Sequence, residues 1–288
     1  MKGFTGELKK RVKRKDTLLF GCIMDSHSGA VVEMYHETGF DAIMIDREHT
    51  ALNSETIREH IRLARALEIP CMVRAADSSY HEVCRFLDQG ADGFFMPRIR
   101  SRQEAETCVA NVKYPPVGVR GIGPSTCPAA KYLGWNHPTE MAKYFNENLV
   151  IGIQIETGPA LADLDGILSV PGIDVAVVGN DDLSLGMGIL GQFDNPRYLK
   201  AVKSVIAACE KHGVLPGIAG GDPTWVRYWR DQGMRLFWCA ADVISMWNAT
   251  RSGIAAIKDG LAAKAAPKSP FASSREAKSS KQIQYSKG

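Results

Sequence analysis

The sequence has no C-x-x-C pair, no apolar run long enough to span a bilayer, no early G-x-G-x-x-G and little net charge. Each absence removes a class of protein. The seven cysteines, Cys22, Cys71, Cys84, Cys108, Cys127, Cys209 and Cys239, are odd in number and scattered. They read as free thiols of a reducing, cytoplasmic compartment, not as a disulfide framework or a zinc site. No membrane span is expected. The basic N-terminal stretch lacks an apolar h-region and a cleavage site, so no secretory signal is expected either. A net charge of +3 is too small to argue for a nucleic-acid partner, and no glycine fingerprint supports an open dinucleotide-binding sheet.

What the chain does have is 288 residues, 45% of them hydrophobic and 23% charged, enough for one large core. Short apolar β-type runs alternate with amphipathic stretches. Strands are expected at 18–24, 42–45, 71–73, 93–96, 150–156, 174–178, 215–218 and 236–240. Helices are expected at 30–38, at 55–67 with Ser54 as cap, and at 79–88, 104–112, 159–168, 196–211, 223–232 and 242–260. The period breaks over 113–148, which reads as a long functional loop. Eight strand–helix pairs in about 250 residues predict an α/β protein with a closed (β/α)8 TIM barrel. The expected organisation is a basic lead-in helix at 1–16, with its charges on a solvated face, a barrel domain at 17–261, and a disordered basic tail at 262–288. That tail is Ala-, Ser- and Lys-rich and too poor in large apolar residues to fold alone.

Polar residues follow the strands, where a barrel of this kind gathers its chemistry. The second strand delivers Asp46, Glu48 and His49, the third Arg74, the fifth Gln154 and Glu156, the sixth Asp181 and Asp182. Glu156 and Asp182 sit at the same end of neighbouring strands, an oxygen pair suited to a hard divalent cation. Ordinary capping or loop carboxylates are the alternative at this point. A 2-oxo acid would fill positions left open on Mg²⁺ or Mn²⁺, Arg74 would add positive charge at its oxygen, and His49 would carry a proton. None of the strand ends offers a lysine, which argues against a Schiff base.

Six stretches in register resemble the HpcH/HpaI-type class II pyruvate aldolases of the phosphoenolpyruvate/pyruvate barrel superfamily. They are Gly39-Phe-Asp-Ala-Ile-Met-Ile-Asp-Arg-Glu-His49, Val73-Arg74, Leu87-Asp-Gln-Gly-Ala-Asp92 leading to Met96-Pro97, Tyr114-Pro-Pro-Val-Gly-Val-Arg-Gly121, Gln154-Ile-Glu156, and Gly179-Asn-Asp-Asp-Leu-Ser184. The resemblance covers about 18–260. It implies Glu156 and Asp182 as metal ligands and His49 as the acid/base residue, with Asp46 and Asp88 tuning it. Asp88 would act from a neighbouring subunit of a homo-oligomer, a hexamer in the family. It further implies Arg74 as enolate stabiliser, and Gln154 with the backbone around Asp181 as holders of the substrate carboxylate. The chain departs from the family at Arg47, where Gly is usual, at Ala75, at Asn180-Asp181, at Cys239-Ala-Ala-Asp242, and in the 124–138 loop with Trp135 and His137.

The expected activity is therefore that of a carbon–carbon lyase, a class II aldehyde-lyase dependent on Mg²⁺ or Mn²⁺, with Co²⁺ a third option. It would cleave a 4-hydroxy-2-oxo acid to pyruvate, or a close 2-oxo acid, and an aldehyde through a metal-bound enolate. Its rivals are decarboxylation of an oxaloacetate-like acid and a non-catalytic barrel serving as an assembly or binding protein.

Overall fold

The structure, a computed structural model, describes residues 6–77, 79–123, 127 and 137–262. Eight parallel strands close a barrel in chain order: β1 (Leu18–Ile23), β2 (Ala42–Asp46), β3 (Cys71–Arg74), β4 (Gly93–Met96), β5 (Val150–Ile155), β6 (Val175–Val178), β7 (Leu215–Ala219) and β8 (Leu236–Ala241), which pairs back onto β1. The helices are α1 (Glu7–Lys13), α2 (Ala30–Glu37), α3 (Ser54–Ala66), α4 (Tyr80–Gln89), α5 (Arg102–Val112), α6 (Pro138–Asn148), α7 (Gly158–Ala162), α8 (Leu164–Leu168), α9 (Asn180–Gly186), α10 (Pro196–His212), α11 (Pro223–Asp231) and α12 (Asp242–Ala262). The (β/α)8 expectation holds.

Side chains alternate along each strand, so two cores form. Ile43, Ile45, Val73, Phe94, Ile151, Ile153, Ile155 and Val178 point outward into the layer beneath the helices, against Ile57, Ile61, Val83, Phe86 and Val202. Phe20, Met44, Met72, Phe95, Val150, Val177, Leu236 and Trp238 fill the barrel itself. By this alternation Asp46, Arg74 and Gln154 share the inward parity of Met44, Met72 and Val150. They form the polar top layer of an otherwise apolar interior. Asp46 stands directly across from Arg74 in the β2–β3 register.

The opposite end of the barrel is closed by α1. Its Leu8 and Val12 join the interior cluster, each contributing about 1.5–3 kcal/mol by burial. The basic lead-in is thus not wholly a solvated face. Lys9 is buried, donating to the Leu149 carbonyl at 3.2 Å and pairing with Asp174 at 2.5 Å. Arg11 reaches Asp41 at 2.7 Å. The cations face acids at the strand starts, which composition alone does not reveal.

Other differences are local. The 113–148 break contains α6, whose Pro138 suits a first helical position and whose Met141 and Phe145 are buried at helical spacing. The single helix expected at 159–168 is two, interrupted at Asp163 (φ −121°, ψ 36°). The cap of α3 is Asn53, whose Oδ1 accepts from Thr56 N at 2.8 Å, so Ser54 is already the first helical residue. The α9 turn follows β6 directly and had no helical period to announce it. Of the 124–138 loop, Trp135 lies outside the described residues, as does the expected tail from 263 onward. All seven cysteines are free, and among the described residues no helix is long and apolar enough to cross a membrane.

The barrel belongs to the compact unit Met1–Ser245, and the residues from Met246 form a second unit. Within that second unit Met246, Trp247, Ile254, Ile257 and Leu261 of α12 are exposed.

Candidate active site

Arg74 ends β3 and Asp46 ends β2, both buried. Arg74 donates from Nε to Asp46 Oδ1 at 2.8 Å and from Nη2 to Oδ2 at 2.6 Å, a two-point fork. Asp77, three residues on, accepts from the Ser79 backbone N–H at 2.7 Å. Burial works against the guanidinium charge, yet the Asp46 hydrogen bonds and charge, with help from Glu48, raise its pKa above the ordinary value. Trp238 lies beside it, the guanidinium carbon 5.6 Å from the ring centroid, and Phe95 packs edge-on against that ring. The Trp238 indole N–H and Gln154 Oε1 are both buried without a partner among the described residues.

Asp46 is fully engaged by Arg74 and by the Glu48 backbone N–H. The acid next to His49 is Glu48: its Oε2 lies 3.6 Å from His49 Nε2 and 3.5 Å from Arg74 Nε. Burial pushes the Glu48 carboxyl up, and Arg74 and His49 pull the other way. The His49 side chain is 59% exposed, at the rim rather than the floor.

Glu156 follows β5 and Asp182 lies in the first turn of α9, past β6. One residue touches both. The Arg98 backbone N–H donates to Glu156 Oε1 at 2.6 Å, and Arg98 Nη1 lies 3.4 Å from Asp182 Oδ1. Gln154 Nε2 donates to Glu156 Oε2 at 2.7 Å. Burial raises the Glu156 carboxyl, and the nearby Glu48 and Asp182 carboxylates add to that, against the Arg98 and Gln154 donors. A buried acid in a field of other acids lacks a compensating cation.

A Cβ at Gly179 would sit 2.1 Å from Glu156 Oε2 and 2.8 Å from its Cβ, so this position is a cradle for the Glu156 side chain. Among the described residues no three His, Cys, Asp or Glu side chains form a complete metal cage. Two carboxylates, a buried orphan acceptor and open positions fit a cation that keeps water and substrate oxygens in its shell.

Asn180, the departure next to Asp182, ties the turn down. Its Nδ2 donates to the Ala219 carbonyl and its Oδ1 accepts from Tyr198, both at 2.9 Å. Asp181 is exposed. Arg47, the other departure, donates from its side chain to the Leu52 carbonyl and lies 3.3 Å from Glu82, while its backbone N–H donates to the Arg74 carbonyl. Asp242, after β8, accepts from the backbone of Met24, Asp25 and Ser26, joining the last strand end to the first.

Asp88 is not brought to this end of its own chain. It lies in the last turn of α4, just before Gly93 opens β4, and it pairs with buried Arg120 at 2.6 Å. Arg98 and Trp238 are the site residues that sequence reasoning missed, and Gly179 was read there only as part of its motif. The signal for Arg98 was its place directly after the Met96-Pro97 strand end.

A model of the HpcH/HpaI aldolase/citrate lyase family matches residues 19–249. The chain is 30% identical over 260 residues to the hydroxypyruvate/pyruvate aldolase of Paraburkholderia phytofirmans, covering 90% of this chain and 100% of that one. It is 32% identical over 186 residues to the 4-hydroxy-2-oxo-heptane-1,7-dioate aldolase of Salmonella typhimurium, covering 65% and 70%. The crystal structure of an HpcH/HpaI aldolase from Desulfitobacterium hafniense superimposes with a TM-score of 0.83 at 28% identity, covering 91% of this chain and 99% of that one. With the barrel and its polar top layer already in place, these likenesses make the chain a carbon–carbon lyase that belongs to the HpcH/HpaI aldolase/citrate lyase family, within the phosphoenolpyruvate/pyruvate barrel superfamily.

Proposed function

We propose that the chain is a divalent-metal-dependent aldolase that cleaves a 4-hydroxy-2-oxo acid to pyruvate, or a close 2-oxo acid, and an aldehyde, and runs the reverse addition. The observation that carries this reading is the junction at Arg98. Its backbone N–H fixes Glu156 and its guanidinium reaches within 3.4 Å of Asp182, so one residue touches both carboxylates at the barrel mouth. One relative is named a 4-hydroxy-2-oxo-heptane-1,7-dioate aldolase and another a hydroxypyruvate/pyruvate aldolase.

Glu156 and Asp182 would hold Mg²⁺, Mn²⁺ or Co²⁺, which would supply Lewis acidity toward a 2-oxo acid. The chain's residues do the rest. Asp46 occupies Nε and Nη2 of Arg74, which leaves Nη1 to meet the oxygen on which enolate charge develops. Gln154 fixes Glu156 through Nε2 and keeps an acceptor oxygen for a water or hydroxyl proton. The backbone around Asp181 meets the substrate carboxylate. His49, steadied by Glu48, takes the C4 hydroxyl proton as the C3–C4 bond breaks, directly or through a water. A proton delivered to C3 then releases the 2-oxo acid.

Asp88 acts on His49 only across an interface between copies of this chain, so the proposal includes a homo-oligomer, a hexamer by family resemblance. The free thiols suit a cytoplasmic setting.

The test is to supply 4-hydroxy-2-oxo acids with Mg²⁺ or Mn²⁺ and to measure pyruvate, aldehyde and carbon dioxide together. Pyruvate and aldehyde in equal amounts, lost on chelation and in Glu156→Gln, are expected. Pyruvate formation that survives both treatments defeats the metal reading, and carbon dioxide without aldehyde makes the chain a decarboxylase.

A further inference from the structure

Three arginines follow β4, and they divide. Arg100, just before α5, pairs with Glu104 at 2.9 Å, and Arg102 pairs with Glu106 at 2.7 Å one turn along α5. Arg98 alone turns to the barrel mouth. Its backbone is in the left-handed region, φ 56°, a conformation uncommon for a residue with a side chain. The Arg98 N–H to Glu156 at 2.6 Å holds it there. This conformation puts the Arg98 Cα beside one proposed metal ligand and its guanidinium beside the other.

That guanidinium is far from satisfied. Its contact with Asp182 is 3.4 Å, longer than the ~2.7–2.9 Å of a tight charge-assisted bond. The Arg98 side chain is 61% exposed and the Asp182 side chain 39%. The other cations of the mouth are committed: Arg74 is buried and forked on Asp46, with Nη1 left for the keto oxygen, and Arg47 is held by Leu52 and Glu82. Glu48, Glu156 and Asp182 act on one another electrostatically at this mouth, a field that repels any anion not met by a cation. Two guanidiniums therefore stand at two depths, Arg74 on the floor and Arg98 at the rim. A substrate that meets Arg74 at its keto oxygen and is long enough to reach the rim would find the exposed Arg98 guanidinium there.

Resting on the aldolase reading above, we propose that Arg98 is the specificity-determining residue for the aldehyde partner, and that this aldehyde carries a terminal anion. An arginine presents several donors in a fixed fork, matched to carboxylate and phosphate alike. A merely screening role, in which Arg98 only offsets the charge of Asp182, is the competing account. It predicts no distinction between charged and neutral aldehydes.

The experiment uses the full chain with Mg²⁺ and pyruvate, and compares kcat/KM for succinic semialdehyde, glyceraldehyde 3-phosphate and uncharged butanal. Wild type is expected to favour one anionic aldehyde over butanal by at least about tenfold, and which one it favours distinguishes carboxylate from phosphate. Arg98→Gln is expected to reduce that ratio about tenfold or more, mainly through KM, and Arg98→Lys to restore part of it. A ratio that does not move in Arg98→Gln, or a wild type without preference, overturns the proposal.

Two further measurements separate this proposal from the reading beneath it. Deuterium exchange at pyruvate C3 in wild type reports the enolate chemistry without any aldehyde, so its absence sinks the aldolase reading and this inference with it. Calorimetric titration of succinate into the Mg²⁺-loaded protein reads the anion site without turnover. Binding weakened tenfold in Arg98→Gln supports the site, and binding equal in both proteins refutes it.

Discussion

Arg74 grips both carboxylate oxygens of Asp46 from the adjacent strand, at 2.8 and 2.6 Å, with neither residue open to bulk water. The pair aims the guanidinium and leaves one of its nitrogens for substrate. Removing one partner of a buried pair strands the other charge, which costs about 3–5 kcal/mol. Asp46→Ala is expected to lose about that much in urea unfolding and to cut kcat by at least about a hundredfold, since a misaimed donor loses its effect on developing charge. Unfolding free energy equal to wild type contradicts the account of the fork.

The lower end of the barrel gives the converse prediction. Leu8 of α1 is buried in the barrel interior beside Val12, at the end away from Arg74. Leu8→Ala is expected to cost about 2–5 kcal/mol through the cavity it leaves, with kcat at 25 °C within about twofold of wild type. A large loss of kcat in a folded variant shows that the plug communicates with the site.

The barrel was legible because its strands are continuous apolar runs and its helices carry apolar faces at 3.6-residue spacing. Asp46, Arg74, Gln154 and Glu156 were legible because a charged or amide residue at the end of such a run has no reason to be there as packing. What stayed hidden depends on partners distant in sequence. Lys9 and Asp174 are far apart in the chain, and nothing local marks them as a pair. The role of Glu48 beside His49 appears only once Asp46 is seen to be consumed by Arg74. Arg98 was hidden because its φ of 56° cannot be read from its neighbours. The helix α6 was hidden because prolines and aromatics around it masked the Met141–Phe145 spacing.

Asp92 supplies a pH prediction. Its carboxylate accepts the Cys71 backbone N–H at 2.9 Å, and burial raises its pKa from the ordinary 3.8 to about 7. The folded chain therefore keeps this proton up to about pH 7, whereas the unfolded chain gives it up near pH 4. Its contribution to stability is fully present below pH 4 and falls as pH rises toward 7, by about 4 kcal/mol in all. Asp92→Asn keeps an acceptor and cannot titrate, so it is expected to be more stable than wild type at pH 8 and no more stable at pH 4. Urea midpoints at the two pH values decide it, and parallel pH dependences rule it out.

Asn180 tests whether the departure beside Asp182 is structural. Its side chain links the Tyr198 hydroxyl to the Ala219 carbonyl, and that carbonyl also accepts from Trp225 Nε1 at 3.0 Å. Asn180→Ala leaves the Tyr198 hydroxyl buried without its acceptor, at about 1–3 kcal/mol. The double variant Asn180→Ala with Tyr198→Phe is expected to recover part of that loss, because both polar ends are then gone. Fully additive losses in the double variant argue that the two side chains do not act together.

Gly179 offers the sharpest probe of the metal reading, because it acts on Glu156 without changing any charge. Its φ of −83° suits any residue, so backbone strain plays no part. The obstacle is steric: a Cβ there would stand 2.8 Å from the Glu156 Cβ, an atom that no side-chain rotation can move away. Gly179→Ala must push the β5 and β6 ends apart or swing the Glu156 carboxylate off Gln154 and Arg98. Both movements alter the spacing between Glu156 and Asp182. The variant is expected to stay folded, with a loss of about 1–3 kcal/mol from overpacking, while its dissociation constant for Mn²⁺ rises at least about tenfold. Calorimetric titration of Mn²⁺ into the apoprotein reads that constant without turnover. Unchanged Mn²⁺ affinity in a folded Gly179→Ala protein means that Glu156 does not bind the cation where the cradle holds it.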